Sequence, residues 1–541
     1  MGDKEGFLAR VAELRVNPDA LDKVVIPEYG FEIPNAEGKR NSLQIFAKIT
    51  DNDGYITPEG ATTGLKVFGE ELRADARKPE SKHTSIQLLE RIAANGKPVR
   101  SDVYRNSSLR MHPFTDDELQ RAADQFGTPT LLYHEGNIRR KVRALNEAFS
   151  WVPGGFINHL ALKATDCIPL FQIVGEEGMG ADCASIPELI KAQIAGMRRE
   201  EIMFTSNATS AEAFIKADKY GVIVNFDDIT HIPFFQEVTG NLPEVACLRY
   251  NPGARMMGGD RIIGEPGKQK YGIMHEQMAD AVRLLQKGGV KRIGLHEMIV
   301  SNELRAENLI GAARGIFDLA NELTGETGVK FEFVNLGGGI GVPYRPEHRP
   351  IDINELSNGI RAAYESKISG GKNAGLKIRM ENGRWVTGDS AVLLMRAVHI
   401  EQKPAGTYIK VDASGNDFAR VEQYGAYHHL VCVGNNGELE VYQVAGPKCE
   451  NSDHFAKNRL LPRTSRGQIL GLCGTGAHGH PMCGEYNSFF PCGEAIVEMD
   501  GSMRRLTRGR TLVDNLEKYE FEGSSLAGIS AEQRQRERLT N

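Results

Sequence analysis

Short apolar stretches recur along the middle of the chain, and each ends in polar or glycine residues. The eight stretches are FINHLALKA (156–164), MGADCAS (179–185), EIMFTSN (201–207), VIVNFDD (222–228), VACLRYNP (245–252), RIGLHEMIVSN (292–302), FEFVNLGGG (331–339) and KIRMENGR (377–384). Segments with helical periodicity lie between them, such as SIPELIKAQIAG (185–196) and LRAENLIGAARGIFDLANELTG (304–325). A doubly wound sheet is the competing topology, but closely repeated strand–helix units with polar strand ends favour an α/β fold of the (β/α)8 TIM-barrel type.

The pattern changes on both sides of this region. After residue 395 the apolar stretches are short, turn-bounded and without helical periodicity, which predicts a C-terminal all-β domain of sandwich or barrel-like form. Before residue 110 the sequence is largely polar and shows no single periodic pattern. It contains the turn-rich stretch TDNDGYITPEGATTG (50–64) and one predicted helix, TSIQLLERIAANG (84–96), which ends at a glycine.

These patterns divide the chain into five segments. They are an N-terminal extension of unknown role (1–110), a lead-in segment associated with the β domain (111–150), the barrel (151–394), the β domain (395–525) and a polar tail (526–541).

Composition excludes several classes of protein. The 541 residues are 40% apolar and 25% charged, which is ordinary for a globular protein. A net charge of −6 provides no basic surface for nucleic acid, and no run of 18 apolar residues predicts a membrane span. The charged start MGDKEGFLARV lacks a signal core, and the eight cysteines form no CxxC pair, so we expect a cytoplasmic protein.

Lys163 ends the first predicted strand, where a barrel places its functional groups. By itself, a lysine there is best explained as a side chain whose ammonium reaches solvent. The functional alternative is an amine with a lowered pKa that forms a Schiff base.

A second signal is LGGGIG (336–341), which follows the seventh predicted strand. Consecutive glycines leave backbone amides open to an anion, although a tight turn is the simpler explanation. The eighth strand ends in Glu381 and Arg384, which form either an ion pair or part of a phosphate site.

A lysine, a phosphate cradle and an acid at a strand end are together what pyridoxal 5'-phosphate requires. Schiff-base aldolases also combine lysine with phosphate, but they would not explain the β-rich C-terminal part. The histidine pairs 428–429 and 478–480 lack ligand spacing for a metal, so we expect none.

Seven short motifs follow one another along the chain in a recognisable order. They are ALKA, GADCAS, LGGGIGVPY, ENGR, YGAYHH, GPKCENSD and GTGAHGH. Over roughly residues 112–520, the chain resembles the fold-type III pyridoxal phosphate decarboxylases and is most similar to their diaminopimelate decarboxylase branch. The resemblance implies that Lys163 binds the cofactor covalently and that Glu381 pairs with its pyridine nitrogen. It also implies that Gly337, Gly338 and Gly339 bind the phosphate, that Ser301 belongs to the cofactor site, and that His478 stands where a tyrosine contacts phosphate or substrate.

The resemblance further implies a substrate site and a homodimer. Arg384, Arg420 and Tyr424 match residues that hold the distal end of the substrate. Cys449 matches the proton donor, and Glu450 matches the carboxylate that receives the distal ammonium. In the family these last two enter from the other subunit, so active sites are expected at the subunit interface.

The chain departs from the family pattern at three motifs. GLHEMIVS (294–301) places Met298 where a histidine normally stacks on the cofactor ring, and GAH places His478 where a tyrosine is usual. The usual SKFGI is QKYGI (269–273). His478 can still donate a hydrogen bond to phosphate.

The expected reaction is decarboxylation of meso-2,6-diaminopimelate to L-lysine. The alternatives are a decarboxylase for ornithine, arginine, carboxynorspermidine or a D-amino acid, a racemase of the barrel-plus-β plan, and a regulatory protein that binds pyridoxal phosphate without turnover.

Overall fold

The structure, a computed structural model, describes residues 4–78, 80–105, 110–253 and 268–518. The predicted polar tail at 526–541 lies outside these residues. Within the described ranges, no helix combines the length and the apolar character needed to cross a membrane.

Eight parallel strands form the barrel. The first to eighth barrel strands are Phe156–Ala161, Gly180–Cys183, Ile202–Ser206, Ile223–Phe226, Val245–Asn251, Arg292–His296, Phe333–Asn335 and Lys377–Met380. Neighbouring strands pair along the whole series, and the eighth pairs with the first, so the sheet closes. A two-residue strand, Ile273–Met274, pairs with the end of the fifth. The predicted (β/α)8 fold is confirmed, and the carboxyl ends of the strands meet on one face.

Helices cover the outside of the barrel. They are Glu135–Ala148, Ile168–Glu176, Ile186–Ile194, Ala211–Tyr220, His231–Thr239, His275–Lys287, Ala306–Thr327 and Ile353–Lys367, with a short turn at Arg384–Thr387. Both helices that were predicted from periodicity are present. Ser185 begins one of them by accepting a hydrogen bond from the backbone N–H of Glu188, as a capping serine does.

The β domain combines the C-terminal part of the chain with one strand that precedes the barrel. Its strands are Thr130–His134, Ala391–Lys403, Gly406–Val411, Leu430–Cys432, Leu439–Ala445, His454–Pro462, Ile469–Cys473, Gly493–Val497 and Met503–Thr507. Its helices are Asp116–Phe126, Arg420–Tyr424 and Leu512–Leu516. Thr130–His134 pairs with the strands that begin at Ala391 and Gly493, so the lead-in segment joins the β domain to the barrel.

The described residues between 4 and 105 fold around a core of their own. The helices are Lys4–Glu13, Arg40–Ile49, Pro58–Phe68, Glu70–Ala76 and Thr84–Asn95. The strands are Leu21–Ile26, Phe31–Pro34, Tyr55–Ile56, Val99–Arg100 and Asp102–Arg105. The predicted helix at 84–96 is confirmed, but the turn-rich interpretation of 50–64 is wrong beyond residue 57. There Thr57 caps a helix by accepting from the backbone N–H of Gly60.

A buried ion pair attaches this N-terminal unit to the barrel. Both carboxylate oxygens of Glu347, which is 1% exposed, accept from the Arg105 guanidinium at 2.8 Å. Burial raises the pKa of this carboxyl, but Arg105 and Arg345 outweigh burial and hold the pKa well below its usual range. The contact joins the N-terminal unit to the segment between the seventh barrel strand and the helix Ile353–Lys367.

Candidate active site

A cavity of about 370 Å³ opens at the carboxyl ends of the barrel strands, next to the β domain. Among the residues predicted from the sequence, those that line it are Lys163, Ser301, Gly338, Gly339, Glu381, Arg384, Arg420, Tyr424 and His478. Gly337 lies immediately before the two lining glycines. The barrel and the β domain thus bring these predicted cofactor and substrate residues of one chain into a single cavity.

Lys163 projects into this cavity just after the first barrel strand. Its side chain is 56% exposed there, and its Nζ donates to Asp182 Oδ2 at 3.3 Å. The negative charge of Asp182 raises the pKa of Lys163 and outweighs the opposing effect of burial. The expectation of a lowered pKa is therefore wrong for the free lysine, because a carboxylate lies beside it.

Asp182 lies one residue before the end of the second barrel strand, and the sequence patterns did not identify it. It is 4% exposed, and its Oδ1 has no hydrogen-bond partner among the described residues. Burial and the charge of Glu381 raise the pKa of Asp182 to about 7, against the opposing charge of Lys163. This carboxyl can hold or release a proton near neutrality, next to the lysine amine.

Glu381 lines the cavity and is held from two sides. Its Oε1 accepts from Asn335 Nδ2 at 2.7 Å, and its Oε2 lies 3.2 Å from His296 Nε2. Burial raises its pKa, but His296 and Lys163 outweigh burial and lower it, so Glu381 is an anion. The alternative of an ion pair with Arg384 is wrong, because Arg384 donates to the Tyr344 hydroxyl instead.

The glycine loop fits closely against the neighbouring strand end. Gly337 and Gly339 have φ angles of 64° and 106°, which favour glycine. A Cβ at Gly339 would lie 2.6 Å from the Val300 carbonyl oxygen, so no larger residue fits. The backbone N–H of Gly339 makes no hydrogen bond to any described residue and lies at the cavity. Such a loop suits a phosphate group.

The residues present fit pyridoxal phosphate. Lys163 in the cavity matches the carbonyl of that cofactor, and the anionic Glu381 matches its ring nitrogen. The open glycine loop matches its phosphate. Burial and the nearby Arg384 hold the pKa of His478 well below its usual range, so its imidazole is neutral and can donate one hydrogen bond. Met298 lines the cavity, and its Sδ accepts from the Gly338 N–H at 3.2 Å.

We expect Gly339→Ala to weaken pyridoxal phosphate binding by about tenfold or more, because a strained backbone costs about 1–3 kcal/mol. The dissociation constant is measured by titrating the apoprotein with the cofactor and following absorbance. Gly315→Ala is the matched control, since a Cβ there meets nothing within 4 Å. Equal affinities in the two variants would contradict the assignment of the loop.

Two buried arginines face the far side of the cavity. Arg384 and Arg420 are 7% and 6% exposed, and neither forms an ion pair with a described residue. The Arg420 guanidinium lies 5.3 Å from the centre of the Tyr344 ring, and its Nε has no hydrogen-bond partner among the described residues. Buried cations without carboxylate partners attract an anionic group of a ligand.

The structure does not place Cys449 and Glu450 in the cavity of their own chain. Both side chains are exposed. The backbone N–H of Cys449 donates to Asn487 Oδ1 at 2.9 Å, and Glu450 is hydrogen-bonded to the Tyr486 side chain. The segment that carries them lies at the surface of the β domain, where a second molecule can reach it.

Known proteins match most of the chain. A family model described as pyridoxal-dependent decarboxylase, pyridoxal binding domain, matches residues 135–388. Another, described as an uncharacterized protein conserved in bacteria, matches residues 22–103.

Two curated relatives match more than two thirds of this chain. Protein TabA of Pseudomonas amygdali pv. tabaci is 30% identical over 75% of this chain and 93% of its own length. The diaminopimelate decarboxylase of Methanothermobacter thermautotrophicus is 31% identical over 68% of this chain and 86% of its own length. The crystal structure of diaminopimelate decarboxylase from Helicobacter pylori, complexed with L-lysine, is 26% identical. It superposes with a TM-score of 0.67 over 74% of this chain and 98% of that one.

Proposed function

Because the chain belongs to the fold-type III pyridoxal phosphate-dependent decarboxylases, we propose that it converts meso-2,6-diaminopimelate to L-lysine and carbon dioxide. The observation that carries this choice of substrate is a pair of buried arginines, Arg384 and Arg420, which line the same cavity as Lys163 and form no ion pair with any described residue. A distal carboxylate satisfies such cations, whereas the distal ammonium of ornithine would be repelled by them. The similarity to diaminopimelate decarboxylases supports the same choice.

Residues of one chain would hold the cofactor. Lys163 would bind its carbonyl carbon, Glu381 would hold a proton at its ring nitrogen, and the phosphate would lie against the glycine loop. Ser301 and His478 complete the phosphate site. When bound, pyridoxal phosphate supplies a ring that accepts the electron pair left by carbon dioxide.

Residues of a second copy would complete the reaction. The bond between Cα and its carboxylate breaks, carbon dioxide leaves, and Cys449 of the partner subunit gives a proton to Cα, then regains one from water. Glu450 of the partner subunit would receive the distal ammonium of the substrate. The exposure of both side chains on their own chain supports this arrangement and a homodimer.

The role of Arg420 in binding the distal carboxylate of the substrate is tested with Arg420→Gln. We expect kcat/KM for meso-diaminopimelate to fall by the equivalent of about 2–5 kcal/mol, since a buried charge contact is lost. Arg420→Lys keeps the charge and restores part of this loss. Arg463→Gln is the control, because Arg463 is 69% exposed in a surface pair. An unchanged kcat/KM in Arg420→Gln would contradict the proposal that Arg420 binds the distal carboxylate of the substrate.

A further inference from the structure

A second cavity of about 540 Å³ lies between the N-terminal unit and the barrel. One wall consists of residues from the helices Lys4–Glu13, Arg40–Ile49 and Pro58–Phe68. The other wall consists of the segments 302–305 and 348–349 of the barrel. We call it the interdomain cleft. Its volume lies in the range typical of small-molecule sites.

Positive charge dominates the interdomain cleft. The cationic side chains that line it are Arg10, Arg15, Lys48, Lys66, Arg305 and Arg349. The carboxylates that line it are Glu13 and Glu303. The Glu303 carboxylate is already used at the start of a helix, where it accepts from the backbone N–H of Arg305 and from Asn308 Nδ2. The cleft is therefore a positive pocket with little internal compensation.

Four of these cations are not used to hold the fold. The side chains of Lys48, Lys66, Arg305 and Arg349 make no hydrogen bond or ion pair to any described residue. The Lys48 side chain is exposed at the cleft, but partial desolvation and the charges of Arg345 and Arg305 lower its pKa, against the opposing charge of Glu347. Like charges are crowded here, and an anion would relieve that repulsion.

The barrel wall of the cleft also borders the active site. Ser301 and Asn302 line the active-site cavity, and Asn302 lines the cleft as well. The backbone N–H of Glu303 donates to the Gly339 carbonyl at 2.8 Å. Arg15, from the opposite wall, donates to the Leu304 carbonyl at 2.6 Å. A short continuous backbone segment thus connects the cleft to the glycine loop.

We propose that the interdomain cleft is an effector site for a small anion with two or more negative charges, carried by phosphate or carboxylate groups. Lys48 and Lys66 of the N-terminal unit and Arg305 and Arg349 of the barrel contact the ligand from the two walls. A ligand held between them pulls on segment 302–305 and so changes how the glycine loop holds its phosphate. The proposal goes beyond the decarboxylase activity, and its test requires no substrate.

The test uses the full-length, cofactor-loaded protein, so that the phosphate site of the active cavity is filled. Inorganic pyrophosphate and citrate are titrated separately by calorimetry, at constant ionic strength. Lys48→Glu/Lys66→Glu is expected to weaken binding by about tenfold or more. Lys97→Glu is the control, since Lys97 is exposed on the same unit and does not line the cleft. Binding of pyrophosphate alone identifies a phosphate ligand, and binding of citrate alone identifies a carboxylate ligand.

The effector role has its own measurement. The rate at which pyridoxal phosphate leaves the holoprotein is expected to change by about fivefold or more when the anion binds, and to stay constant in the double variant. Binding without any change in this rate would overturn the effector role. Failure of both anions to bind, or equal binding by the double variant and the control, would overturn the site itself.

Discussion

Lys163→Ala is expected to lower kcat for decarboxylation by roughly 10²–10⁴-fold, the contribution of a positioned acid–base group, and to abolish covalent attachment of the cofactor. The reason is that Lys163 provides the amine at the cavity, where it lies beside Asp182 and near the anionic Glu381. The absorbance band of the lysine-bound cofactor should be absent, and borohydride reduction should no longer fix the cofactor to the protein.

The control for this experiment is Lys219→Ala, which removes an exposed lysine on the outside of the barrel. It should keep both the absorbance band and the full rate. If Lys163→Ala kept the band, and reduction attached the cofactor to another lysine, the assignment of Lys163 would be wrong.

A mixture of two inactive variants is expected to regain about a quarter of the wild-type activity, because each site of the proposed dimer takes residues from both subunits. The variants are Lys163→Ala and Cys449→Ala, each reduced by roughly 10²–10⁴-fold alone. Random exchange of subunits gives a population in which half of the dimers contain one subunit of each variant. Each mixed dimer has one site with both native residues and one site with neither.

The exchange is carried out by mild dissociation and reassociation, and activity is followed over time. Mixing Lys163→Ala with Glu381→Ala is the matched control. Both of those residues line the cavity of the same chain, so no exchange can restore a native site. Equal recovery in the two mixtures, or none in either, would contradict a site completed by Cys449 of the partner subunit.

Most of the barrel could be predicted because its strands are buried on both sides. In EIMFTSN, for example, the apolar run IMF gives way to polar residues at the carboxyl end of the strand, so the end of the strand is visible in the sequence. The N-terminal unit was underestimated for the opposite reason. Its strand Tyr55–Ile56 has two residues, and its helix Pro58–Phe68 contains PEGATTG, a composition typical of turns. That helix is stabilised by Leu65, which packs in the core of this unit.

From the residues alone, the active site could be predicted only where one strand end carries the signal. The lining residues of the β domain, Arg420, Tyr424 and His478, were predicted only from the resemblance to the family. Lys163 and Glu381 follow their own strands, and their positions can be read from the sequence. Asp182, His296 and Asn335 act through contacts between strands, and those contacts exist only because the barrel closes. The pKa of Lys163 depends on the same contacts, which is why the expected direction was wrong.

The most direct test of the proposed function is carbon dioxide release by the purified, cofactor-loaded protein from meso-diaminopimelate, ornithine, arginine, lysine and carboxynorspermidine. We predict release from meso-diaminopimelate alone, with L-lysine formed in equal amount. Release from ornithine or arginine instead would contradict the role of Arg384 and Arg420, and release from none of the five would contradict the proposed reaction.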